Sequence, residues 1–149
     1  MKNLTLFPVA CLLTILALIP QGFHVKPVVA SSNSIAVIVH EDNPTRNMTA
    51  REVRKLFLGK SRKLPDGTRA ILVSLQSLQT TFNRATLGKN NAQVKSAWAR
   101  LQFTGRALPP REFIHASDVV EFVANNKDAI GYIPIDAITQ GVKEVYVLE

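Results

Sequence analysis

The sequence predicts an α/β domain, with a small mixed sheet and helices packed against it. Three observations carry that expectation. Short β-branched runs alternate with segments of helical period, Pro and Gly clusters separate them, and 46% of the 149 residues are hydrophobic. Such a chain suits one globular domain with a real core and leaves no room for two.

The first thirty residues stand apart. Lys2 supplies a positive start, "LFPVACLLTILALIP" has about the length of a signal h-region, and "VVA" precedes Ser31. Residues 1–30 are therefore expected to be a secretory signal cleaved after Ala30, with residues 31–149 as the mature domain. An uncleaved membrane anchor is the alternative, against which stand Pro8, Pro20 and the shortness of the apolar run. Cleavage would remove Cys11, the only cysteine, so the mature chain would form no disulfide. Of the 18 basic residues, Lys2 and Lys26 would go with the signal, leaving 16 against 11 acidic ones and a net charge of +5. A modestly basic secreted domain suits an anionic ligand, an anionic surface or simple solubility.

From Ser31 onward each element has a local reason. "SIAVIVH", residues 34–40, reads as a buried strand, and "EDNPTRN" breaks it through Asn43 and Pro44. In "MTAREVRKLFLG", Thr49 and Glu52 have capping-box spacing, while Met48 and Val53 stand at the positions of a hydrophobic staple. Val53, Leu56 and Phe57 share one helical face, and Gly59 is a natural stop. "LPDG" makes a turn into the strand candidate "RAILVSLQ". A helix then runs through Phe82 and Ala85 to Leu87, with Gly88 ending it, and another spans about Ala92 to Phe103. Val94, Ala97, Trp98 and Leu101 repeat at helical spacing there, which assigns Trp98 to the core. "TGRALPPRE", residues 104–112, reads as a loop, after which Ser117 is expected to cap a helix through "DVVEFVANN". "AIGYIPI" and "VKEVYVLE" close the chain as two strands around a turn at Gly141.

Chemical motifs are scarce. His24, His40 and His115 are too far apart in sequence for a helical metal pair, and there is no nucleophile elbow, P-loop or dinucleotide fingerprint. Ser74, His115 and Asp118 make a hydrolase triad only on paper, because a triad is a matter of geometry. The expectation is a protein that is not an enzyme, with no metal and no cofactor. Arg51, Arg54, Lys55, Lys60, Arg62 and Lys63 form a basic run, which reads as the solvated face of an amphipathic helix. Export from the cytoplasm argues against nucleic acid as the partner of that run. A second basic group, Lys89, Lys95, Arg100, Arg106 and Arg111, lies nearer the loop at 104–112.

"TAREVRKLFLGKSRKLPDGTRAILVS", "TTFN", "WARLQFTGRALPPRE" and "AIGYIP" resemble, in that order, short secreted relatives of the phosphate-binding component of bacterial phosphate ABC importers. The match runs from about Ile35 to Ile135. The resemblance implies a type 2 periplasmic-binding-protein-like fold, a periplasmic or secreted location, and a single lobe, namely the second lobe with connecting strands Ile35–Val39 and Ile130–Ile135. One lobe cannot enclose an anion by hinge closure, so tight capture would need a partner chain or a dimer.

In such binders the turn that "SLQTTFN" resembles carries an Arg a few residues ahead of a Ser-Gly-Thr at a helix start. Guanidinium, hydroxyls, close backbone and helix N-terminus together favour a phosphate. Here Ser74 stands in the place of the Arg, Leu78 and Gln79 in those of Ser and Gly, and Thr80 alone carries over directly. The resemblance thus implies phosphate or another small anion on Ser77, Thr80, Thr81 and Arg84, with an ABC transporter or another envelope protein as partner. The alternative is an interaction domain that kept the fold and lost the ligand, working with an envelope or membrane partner.

Overall fold

The computed structural model describes residues 34–148. The expected signal at residues 1–30 lies outside the described residues. Among the described residues, no helix is long and apolar enough to cross a membrane.

Five strands form one mixed sheet in the order β3-β2-β4-β1-β5. Strand β1, Ile35–His40, lies between β4, Ala129–Pro134, and β5, Val142–Leu148, and is antiparallel to both. Its first five residues are buried without alternation, because neighbours cover it on both faces. Strand β2, Ile71–Leu75, runs parallel to both β4 and β3, Arg111–Phe113. Parallel pairing requires long crossovers, and the helical segment between β2 and β3 supplies one.

Helix α1, Ala50–Phe57, starts with the expected reciprocal box. Thr49 Oγ1 accepts from the Glu52 amide, and the Glu52 carboxylate accepts from the Thr49 amide and hydroxyl, both at 2.8 Å. Val53, Leu56 and Phe57 form its buried face, and Gly59 leaves it at φ 69°. The turn before it is pinned by buried Asn43, whose side chain accepts from the Thr45 amide and donates to the Lys127 carbonyl.

After β2 the chain is helical from Gln76 to Leu87, though not uniformly: a 3₁₀ turn leads into α2, Gln79–Phe82, and then a π turn, Asn83–Leu87. Gly88 ends it in the left-handed region at φ 65°. Helix α3, Asn91–Phe103, has a second capping box, Asn90 with Gln93. Trp98 is buried, as its spacing implies, and its indole N–H donates to the Phe57 carbonyl at 3.0 Å.

Two local expectations need correction. Arg111 and Glu112 belong to β3 and not to the loop before it, because pairing with Val73 and Ser74 extends a segment that has no strand pattern of its own. Ser117 does not cap the next helix. Helix α4, Ala116–Ala124, starts after His115, and the Ser117 hydroxyl donates to Asp118 inside its first turn.

Candidate functional site

The carboxyl end of β2 opens into a cleft of about 490 Å³. Open α/β sheets take ligands at the carboxyl ends of their strands, so the place is informative. Phe57 and Tyr132 line its floor, and Phe82 lies buried beneath them. Phe82 stacks on Tyr132 with centroids 3.9 Å apart and planes at 12°, and Phe57 meets both rings edge-on at 5.0 and 5.5 Å. Burial pushes the Tyr132 phenol well above the ordinary range, partly offset by a hydrogen bond with Ser74 and reinforced by the Glu112 charge. Tyr132 is therefore a neutral hydroxyl at any physiological pH.

The polar wall comes from three elements. Ser74 is the penultimate residue of β2, Gln79 opens α2 and Glu112 sits in β3. Gln79 Nε2 donates to Glu112 Oε1 at 2.9 Å and to Ser74 Oγ at 3.4 Å. Asn83 donates to Asn91 Oδ1, and Asn91 in turn donates to Thr80 Oγ1, each at 2.9 Å. Lys95 on α3 is the one basic side chain among the lining residues. The cleft is thus amide-rich, with one carboxylate and one ammonium, a balance that suits a hydrogen-bonding partner of low net charge.

Ser77, Thr80, Thr81 and Arg84 are all exposed and lie on the outer turns of this segment, not in the cleft lining. Thr80 is nearest in connectivity, through Asn91. Of the other lining residues, the sequence marks Lys95 only as part of a basic group and does not single out Asn83, Asn91, Glu112 or Tyr132. Only Tyr132 carried a signal, as the aromatic of "AIGYIP" in a strand buried on both faces. Among the described residues no cluster of three or more His, Cys, Asp or Glu side chains is placed to hold a metal.

No protein-family model and no curated protein matches the chain. Solved structures do. One from Clostridium perfringens, assigned as a phosphate ABC transporter substrate-binding protein and holding phosphate, aligns with a TM-score of 0.60 at 18% identity. The alignment covers 75% of this chain and 44% of that one. PstS from Borrelia burgdorferi aligns with a TM-score of 0.55 at 12% identity, over 75% of this chain and 46% of that one. An ABC-type phosphate transport receptor from Vibrio cholerae gives 0.51 at 17% identity, over 75% and 45%.

The fold is that of one lobe of a periplasmic substrate-binding protein. The lobe spans less than half the length of each of these structures, and the sheet order β3-β2-β4-β1-β5 is its framework. Identities of this size carry the architecture and leave the ligand to the residues themselves. In this lobe the polar groups that meet beside the β2 carboxyl end are Ser74 of β2, Gln79 of α2 and Glu112 of β3.

Proposed function

We propose that this chain is a substrate-binding-protein-like domain of the bacterial cell envelope, periplasmic or secreted, whose binding face is completed by a partner protein. Its role is recognition and not catalysis. The observation that carries this reading is the Gln79–Glu112 hydrogen bond, which puts a carboxylate in the polar wall of the cleft. A carboxylate there opposes a phosphate dianion, so the lobe alone makes a poor anion cradle while keeping a preformed, amide-lined recess for a partner. An ABC transporter component is the partner class that the fold suggests.

A second reading keeps the small-anion ligand, phosphate first, on the outer turns. It is favoured by Thr80, whose oxygen accepts from Asn91 and whose hydroxyl hydrogen is thereby left to donate outward beside Thr81, Ser77 and Arg84. Titration calorimetry and thermal unfolding with millimolar phosphate at low ionic strength separate the two. A ligand that binds the native state raises its unfolding temperature. On the first reading phosphate leaves the wild-type melt unmoved, and on the second it raises the melt in a way that Thr80→Ala with Thr81→Ala abolishes.

A further inference from the structure

At the end of α3 the chain turns sharply. Gly105, at φ 65°, lets the Arg106 and Ala107 amides fold back onto the Leu101 carbonyl at 2.9 and 3.4 Å. Arg62 Nη1 then donates to the Arg106 carbonyl at 2.7 Å and fixes the loop from the other side. This firmly held loop displays what a folded chain ordinarily hides. Phe103 is 94% exposed and Leu108 is 77% exposed.

The charge lining the grooves beside this loop is of one sign. The grooves flanking the loop are lined by Lys60, Arg62, Arg69, Arg100, Arg106 and Arg111, and no carboxylate lines either one. The single ion pair among the described residues, Lys127 with Asp42, involves none of them. Arg111 is held in place by the Phe113 and Phe122 rings, 5.7 and 5.3 Å from its guanidinium carbon.

From this arrangement we infer that the Phe103–Leu108 loop docks onto an anionic phospholipid surface. Two apolar groups that stand out from the fold enter the acyl boundary, while the surrounding cations meet the lipid phosphates. The one-signed charge of the flanking grooves favours a lipid surface over a protein partner, which would have to offer shaped pockets for the two apolar groups. A fluid, negatively charged surface needs no such complementarity. Trp98 and Pro109 line both the cleft and the groove carrying Arg62 and Arg69, so a docked lobe would hold its cleft beside the membrane. The inference rests on the loop and not on any ligand of the cleft.

The test uses the full chain carrying Phe103→Trp, an exposed site where the change should leave thermal unfolding intact. With vesicles of phosphatidylglycerol and phosphatidylethanolamine, the new indole should shift its emission to the blue and be quenched by brominated acyl chains. With phosphatidylcholine alone both effects should be much smaller. Adding Arg100→Gln or Arg106→Gln should weaken the partition by roughly fivefold per cation removed. Emission that anionic vesicles leave unmoved overturns the inference and points to an acidic protein as the occupant. Equal insertion into neutral vesicles, untouched by the Gln variants, overturns it as well.

Discussion

Gln79 and Glu112 lie 33 residues apart in sequence, and their side chains are joined at 2.9 Å across the mouth of the β2–β3 pair. A glutamine at this point fills space that a glycine would leave for a ligand, and it holds a negative charge in place. At about 4 Å that charge opposes a second one by roughly 1 to 4 kcal/mol, depending on how much water screens the pair. Glu112→Gln should therefore create or strengthen a phosphate-induced rise in unfolding temperature. A variant that still ignores millimolar phosphate would leave only the partner-completed role.

Phe82 anchors the aromatic cluster beneath the cleft. Phe82→Ala would empty a fully buried site stacked on Tyr132 and in edge contact with Phe57. A loss of about 3 to 5 kcal/mol is expected, read as a lower urea midpoint at unchanged slope.

Gly131, in β4, faces Val73 of β2 and Val119 of α4. A methyl group there would collide with Val73 Cγ2 and come within 3.0 Å of Val119 Cγ1, so the buried Val73 side chain would have to shift and Val119 give slightly. Gly131→Ala should cost about 1 to 3 kcal/mol by overpacking, although no φ constraint demands glycine. Calorimetric unfolding of the variant checks this.

The start of α1 should respond to acid. The Thr49 amide, and then the Thr49 hydroxyl, donate to Glu52 and hold its carboxyl below the ordinary value of 4.5. A carboxyl depressed in the folded state adds stability above 4.5, and that contribution fades as pH falls from 4.5 through the lower folded value. Glu52→Gln should therefore be less stable than wild type at pH 7, with the gap closing in strong acid. Thr49→Ala should cost about 1 kcal/mol at neutral pH through loss of the cap. Denaturant titrations across pH 2 to 7 read both effects.

The sequence by itself determined those elements whose causes are local. Thr49 and Glu52 cap α1 because three residues of spacing suffice for reciprocal hydrogen bonds, and Gly88 ends its helix because a left-handed φ costs glycine little. The apolar runs at Ile35–His40 and Ala129–Pro134 likewise announce themselves by burial. Tertiary structure decided the rest. Arg111, Glu112 and Phe113 become a strand only because β2 offers a free edge, and no three-residue charged segment can signal that. His115 takes the position before α4 that Ser117 was expected to hold, because that helix begins one residue ahead of the serine. The cleft follows the same logic. Thr80 and Thr81 were legible as donors at a helix start, whereas Glu112 reaches Gln79 only through the parallel pairing of β3 with β2, a long-range contact that local periodicity does not encode.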